Sequence, residues 1–377
     1  MSSRVPSTKR QSGFTLIELM IGVLIGLMAS LAVTHVLVNS EGQKRTTTSG
    51  SDAQVNGALA LATLQRALQP AGYGFTTTPN VIGCTLTAVF GGAAVADFPT
   101  HLVPISITDG ASGAPDSIRI LASGKNSYSV PLRITAPGNT TTNYPVGSVG
   151  GITAGDLVIA ANAISGAPSV PCRVLQVTAT PITLPEVVHG PASGWNAGPP
   201  AAGVYPDGGA LINMGTPMDV TYSITGGALT VRSLTLDDTT SEPDYGAATE
   251  LFPNIVQLQA LYGKDTNADG NGKVDSVDTW DNVTPTTLAQ WQQVIAVRIA
   301  VVARNSQYEK EDVTNANVAW DVGNAGTVAG SAACVTTSGV ASKCLTIKID
   351  DLGDDWKRYR YRLFETIVPL RNMLWTS

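Results

Sequence analysis

Histidine, cysteine and charge are all scarce in this chain. Three histidines and four cysteines leave little material for a zinc or haem centre. Charged residues make up 14% of the sequence, and 23 Lys+Arg against 29 Asp+Glu give a net charge of −6. That balance argues against a protein that grips nucleic acid through a bulk positive field. No HExxH, P-loop or Ser/His/Asp pattern occurs, and His35, His101 and His189 stand apart from one another. An enzyme is therefore not expected. Proline is absent from Phe14 through Gln69, although the chain has 22 prolines and 38 glycines elsewhere and within. The whole chain is 43% apolar, which rules out global disorder, and its glycines and prolines favour strands and turns over a helical bundle.

The proline-free segment opens with a basic leader. Residues 1–12 carry Arg4, Lys9 and Arg10 and no acid. From Phe14 to Val38 the only acid or permanent charge is Glu18. As a helix that run is about 37 Å long, enough to span a bilayer. Positive charge ahead of it predicts a cytoplasmic start and an exported remainder. An ordinary secretory signal would have a shorter apolar region. A plain anchor leaves Glu18 unexplained, because an acid in hydrocarbon costs about 2.5–3.5 kcal/mol on insertion scales.

The run Gly13-Phe14-Thr15-Leu16-Ile17-Glu18-Leu19-Met20 closely resembles the N-terminus of type IV prepilins. The resemblance implies a cut between Gly13 and Phe14 by a prepilin peptidase, followed by methylation of Phe14. Glu18 then finds its counter-charge in the new amine of a neighbouring subunit, which offsets the desolvation of both. Gly22, Gly26 and Ser30 fall four apart, a spacing that lets helices approach closely in lipid; glycine is also simply common in membrane helices. Many major pilins kink this helix at a proline. Here any local unwinding would have to use Gly22 or Gly26, a departure that fits a minor subunit.

Residues 39–70 turn polar but keep helical spacing at Ala58, Leu61, Leu64 or Gln65, and Leu68, and Pro70 and Gly72 end the pattern. Beyond Gly74, short alternating runs suggest strands at 81–90, 102–108, 117–122, 156–160, 172–177, 255–262, 294–303, 345–349 and 359–368. Runs 218–224 and 228–236 flank Gly226-Gly227 and read as a hairpin. Residues 191–217 and 238–249 read as loops. The expected architecture is α+β and pilin-like: leader 1–13, membrane half-helix 14–38, amphipathic half-helix 39–70, and a β-rich exported head over 71–377.

Three further stretches narrow the resemblance to PilW-type minor pilins. They are Leu68-Gln69-Pro70-Ala71-Gly72-Tyr73-Gly74 followed by Cys84, then the segment from Asn254 to Gly263 followed by Asp265-Thr266, and the ending Tyr359 to Asn372. The resemblance implies a low-abundance subunit that joins other minor pilins and the major pilin in a tip or priming complex. That complex starts filament assembly and helps present a tip adhesin. The prepilin peptidase, the inner-membrane assembly platform and membrane lipid would be its other partners. The head would be periplasmic before assembly and in the filament or its tip afterwards. A minor pseudopilin of type II secretion would share the prepilin motif, and a membrane-anchored exported binding protein is a more distant alternative.

Four cysteines outside the cytoplasm favour disulfides. Of the three possible connectivities, Cys334–Cys344 closes a short loop and is the expected pair, which leaves Cys84–Cys172. The run from Asp265 to Asp275 resembles a Ca²⁺ loop, with Asp265, Asn267, Asp269, Asn271 and Asp275 as oxygen donors. Ser276 stands where a bidentate Glu belongs, so a polar turn without metal is the competing reading, and no cofactor is required. Asp350-Asp351 and Asp354-Asp355 read as solvated turn acids. Arg358, Arg360 and Arg362 read as one strand face whose arginines pair with acids of the head or of a neighbour.

Overall fold

The computed structural model describes residues 13–126, 130–163, 170–181, 185–267, 273–274, 278–324, 327–328, 330–334 and 341–374. The chain divides into two units, Met1–Ser51 and Asp52–Ser377, and one helix, Leu16–Leu68, runs from the first into the second. The helix is continuous through Gly22 and Gly26, so no local unwinding occurs there. It stops where expected, because Pro70 has no N–H to extend the ladder and Gly72 takes a positive φ of 78°.

Within the second unit the buried stripe of the helix is Ala53, Gly57, Ala60, Leu64 and Leu68. Of the expected positions, Leu64 and Leu68 are buried and Leu61 is half-buried, whereas Ala58 and Gln65, the alternative to Leu64, are exposed. Its first three members are small, which lets the backbone come close to the sheet. A Cβ on Gly57 would stand 2.2 Å from Cε2 of Phe364. Closeness to a flat sheet, rather than bulk, selects the residues on that face.

Two five-stranded sheets receive the helix. The first has the order Thr249–Pro253, Ala228–Ser233, Met218–Thr225, Ser117–Ala122 and Ile105–Thr108, antiparallel throughout. The second runs Thr327–Val328, Thr279–Asp281, Ile255–Lys264, Val294–Arg304 and Tyr361–Pro369. Ile105, Ile107, Ile118, Ile120, Leu258, Tyr262, Val297 and Ile299 of these sheets share one core with Leu64 and Leu68. The other face of Val294–Arg304 is covered by a three-stranded sheet through Trp320, Val322 and Ile347. A strand covered on both faces needs no alternation, and its apolar run is nearly unbroken. The exception, Arg298, is buried but satisfied. It donates to the carbonyls of Val322 (2.6 Å) and Asp321 (3.0 Å) and to Glu365 (2.8 Å).

A third five-stranded sheet is built from Leu86–Thr87, Cys172–Gln176, Leu157–Ala161, Ala210–Gly215 and Leu132–Arg133. Residues 191–217 are therefore not all loop. Ala210–Gly215 is wholly buried and pairs with Leu157–Ala161. Glycines and prolines on both sides hide it, and full burial removes the alternation that marks a half-exposed strand. Pro243–Asp244 and Thr249–Pro253 likewise fall in or beside the expected loop 238–249. The expected strand 81–90 is a 3₁₀ turn at Pro79–Val81 followed by two short strands. The third sheet is reached from the first: the chain leaves at Ala122 and returns at Met218, and these two residues are register partners.

Candidate functional site

The N-terminal motif forms a reciprocal helix cap. Thr15 precedes the first helical residue, and Glu18 is the third residue of the helix. The Glu18 N–H donates to Thr15 Oγ1 (3.3 Å). Glu18 Oε2 accepts from the Thr15 N–H and from Thr15 Oγ1, both at 3.0 Å. Two backbone N–H groups that a helix start leaves orphaned are thus satisfied, that of Thr15 by the Glu18 carboxylate and that of Glu18 by the Thr15 hydroxyl. Sequence reasoning assigned Glu18 only to a partner's amine; the Thr-x-x-Glu spacing that signals this cap was present in the same motif.

Leu16–Val38 is long and apolar enough to cross a membrane, and its side chains are exposed in the isolated chain. Phe14 lies just ahead of the helix and is 89% exposed. A Cβ on Gly22 or Gly26 would meet nothing within 4 Å, so both present bare backbone to the surroundings. Ser30 shares their spacing, and its carbonyl accepts from Thr34 Oγ1 (2.8 Å). Gly13 is the first residue described; the rest of the expected leader lies outside the described residues.

The head carries the other candidate positions. Cys84 is bonded to Cys172, with Cα atoms 6.0 Å apart, and Cys334 to Cys344, at 5.0 Å. The first bridge ties the segment after the helix to the third sheet, where Leu86 also pairs with Cys172. The second joins the edge of the three-stranded sheet to its middle strand.

Asp265 and Asn267 lie at the exit of strand Ile255–Lys264, and Asp269, Asn271 and Asp275 fall outside the described residues. Asp278, which the sequence reading left as a reserve donor, is fully buried. Its Oδ1 accepts from the N–H of Thr266 (2.8 Å), the Thr266 hydroxyl (3.3 Å) and the N–H of Asn267 (3.2 Å). It fixes the start of this loop to its end.

The three arginines do not share one strand face. Arg358 ends a 3₁₀ turn, and the strand begins only at Tyr361. Arg358 pairs with Asp355 (3.2 Å) and Arg360 with Glu309 (3.0 Å), so both are matched by acids of the head.

Two titratable groups are shaped by burial. His189 is 1% exposed beside Tyr144, and loss of hydration pushes its pKa down to about 4. Asp116 is 2% exposed, and burial pushes its carboxyl up to about 6. That rise is opposed by the N–H groups of Gly110 (3.0 Å) and Ala260 (2.8 Å), which donate to it.

Comparison with known proteins bears on both ends of the chain. A family model described as type IV pilus-assembly protein W matches residues 221–372. A second, the prokaryotic N-terminal methylation motif, matches residues 8–34. No curated protein sequence matches this chain. Four solved chains match in structure. One of them, a type IV-like pilin from Thermus thermophilus, aligns over 85% of this chain and 97% of its own at 11% identity, with a TM-score of 0.29.

Proposed function

Since this chain is a type IV pilin-like protein, with a PilW region behind an N-terminal methylation motif, we propose that it is a minor pilin of a type IV pilus. It joins other minor pilins and the major pilin in the complex that starts the filament and helps display a tip adhesin. Residues 1–13 are removed between Gly13 and Phe14, and Phe14 is methylated. Residues 14–38 anchor the chain in the inner membrane, residues 39–70 carry the head, and residues 71–377 are the exported head. The single observation behind this reading is the pairing of the two matches at opposite ends of one chain.

The assembly step follows from the cap. Before assembly, Glu18 is held by Thr15 of its own chain. Cleavage places a cationic amine on Phe14. Within one chain the amine and the acid sit near the same helix end, and the acid is already engaged. A neighbour shifted along the axis brings its Phe14 amine to Glu18, and the two charges gain Coulomb energy in a low dielectric. Gly22, Gly26 and Ser30 allow the helices to close on one another. The test has two parts. Mass spectrometry of the membrane-extracted protein should find a methylated N-terminal Phe14. Deleting the gene should lower filament number, with recovery on complementation. An intact Met1, or unchanged piliation in the deletion strain, overturns the reading.

We also propose that the loop opened by Asp265 and closed by Asp278 takes Ca²⁺, on the oxygen-donor spacing of its sequence. Calorimetry on the full chain in detergent should show heat at micromolar to millimolar Ca²⁺ that Asp265→Ala with Asp269→Ala abolishes. Equal heats in the two proteins reduce the loop to a polar turn.

A further inference from the structure

Strand Tyr361–Pro369 has one hydrogen-bonded neighbour, Val294–Arg304, and forms the edge of its sheet. The register runs from Ala296 opposite Pro369 to Arg304 opposite Tyr361 with no shift. Two flanking bonds fix its phase. The Leu370 N–H donates to the Ile295 carbonyl (2.8 Å), and the Asn305 N–H donates to the Arg360 carbonyl (3.0 Å). Both join directly opposed residues of the same ladder. In an antiparallel pair, opposed residues alternately exchange both main-chain bonds and none. Even-numbered residues from 362 to 368 therefore direct N–H and C=O toward Val294–Arg304. Tyr361, Leu363, Glu365 and Ile367 direct theirs outward. Among the described residues, no hydrogen bond reaches those four N–H groups or their carbonyls.

The other long edges among the described residues are blunted: Val318–Gly323 carries a register shift, and its Asp321 and Val322 carbonyls accept from Arg298. On Ile105–Thr108, the Ile107 N–H is taken up by the Tyr262 hydroxyl (2.6 Å). Thr249–Pro253 carries a register shift, and the Pro253 carbonyl accepts from Asn56 (3.4 Å). The third sheet ends in two-residue strands on both sides. Regular, unbulged edges are templates for pairing that proteins ordinarily protect. Among the described residues this one carries Pro369 at its end and Glu365 in its middle, and it leaves Ile367 49% exposed.

We infer that the outward edge of Tyr361–Pro369 accepts an extended segment of another pilus subunit as an added strand. The inference rests on the proposed function for the identity of that partner. Its chemistry is set by the row beside which the guest must lie. Leu363 and Ile367 call for apolar side chains, and the half-exposed Glu365 between them, whose Oε2 is taken by Arg298 and Trp320, offers its Oε1 to a donor such as Lys or Arg. Pairing two copies over the full edge, Tyr361 opposite Pro369, sets Glu365 against Glu365, and like charges directly opposite disfavour a second copy in that register; the register that sets Leu363 against Glu365 shortens the ladder by two residues.

The test compares the full chain in detergent, alone and co-purified with the co-expressed pilins of its own pilus, by amide hydrogen exchange. Leu363, Glu365 and Ile367 should exchange rapidly in the free chain and at least tenfold more slowly in the complex. Thr366 and Val368 should be protected in both. Ile367→Pro removes one outward N–H and no internal bond, so it should keep the melting temperature and cut recovery with the pilins at least tenfold. Ile367→Lys, which keeps the N–H but places a charge on the edge, should cut recovery as well. Recovery with pilins while the odd-numbered amides stay fast overturns the edge and leaves the proposed function standing. Wild-type recovery of both variants does the same. Protection of the odd amides in a dimer of the chain alone overturns the choice of partner. Failure to recover any pilin overturns both readings.

Discussion

Gly57 lies beneath the ring of Phe364, and no side chain fits between them. The added Cβ would approach Cε2, Cδ2 and Cζ to 2.2, 2.5 and 2.9 Å. The ring must move as a whole or the helix must lift from the sheet. Gly57→Val is expected to lower stability by about 1–3 kcal/mol, the usual cost of overpacking, despite the better helix propensity of valine. Thermal unfolding in a double-mutant cycle with Phe364→Ala checks it: the second substitution should recover part of the loss. Additive losses would place the strain elsewhere.

Acidification should act on this head through two buried groups of opposite sense. His189 has a pKa of about 4 in the fold and the ordinary 6.5 when unfolded. The unfolded chain therefore takes up the proton first, and stability falls between pH 6.5 and 4 by about 3 kcal/mol at most. Asp116 is raised to about 6 from 3.8, so its proton favours the fold. That contribution is present below pH 3.8 and lost as pH rises through 6. The wild-type profile should be nearly flat across this window as far as these groups decide it. Chemical denaturation against pH separates them. His189→Phe should gain stability relative to wild type on acidification, and Asp116→Asn should lose it. Parallel profiles for all three proteins contradict the assignment.

The two disulfides should differ in worth. Cys84 and Cys172 are separated by 88 positions, Cys334 and Cys344 by 10. On loop-closure entropy alone the longer bridge stabilises more, by about 2 kcal/mol. Alanine replacement of each pair, followed by denaturant titration, should show the larger loss for Cys84 and Cys172.

Glu18→Gln separates capping from charge. Glutamine at the third helical position still completes the cap with Thr15. Membrane insertion should therefore be unchanged or improved, while recovery with partner pilins and filament number fall. Normal piliation together with normal co-purification in this variant would exclude the amine–carboxylate pairing.

The long helix, the head's strand-rich character and the PilW region were legible because each has a strong local signal. An apolar run, its stop at Pro70, and alternation around Gly226-Gly227 depend on neighbours in sequence. Ala210–Gly215 was not legible, since full burial erases alternation and the turn residues on either side dominate the local pattern. Part of the helix face was mislaid for a related reason. Small residues at Ala53, Gly57 and Ala60 are chosen by proximity to a sheet hundreds of residues away, whereas periodicity counts only apolar size. Gly13, Phe14 and Glu18 stood out by motif, but the Thr15–Glu18 cap was read past because the same acid already had an assigned partner. His189 and Asp116 gave no warning, because burial of a lone polar residue is a property of the tertiary fold.

Ala122 and Met218 face each other across one ladder, yet everything from residue 123 to residue 217 lies between them. An excursion that departs and returns at adjacent points asks nothing of the sheet that launches it. A two-residue turn would close the same gap. The lobe can thus be enlarged, trimmed or exchanged over evolutionary time while the surfaces around the helix keep their shape. The bridge from Cys84 to Cys172, the pairing of Leu86 with Cys172, and the core that Phe75, Leu102 and Leu234 share with Trp195 and Ile212 bind its fate to the rest of the chain. Such a lobe can change in size without redrawing the two sheets that hold the helix.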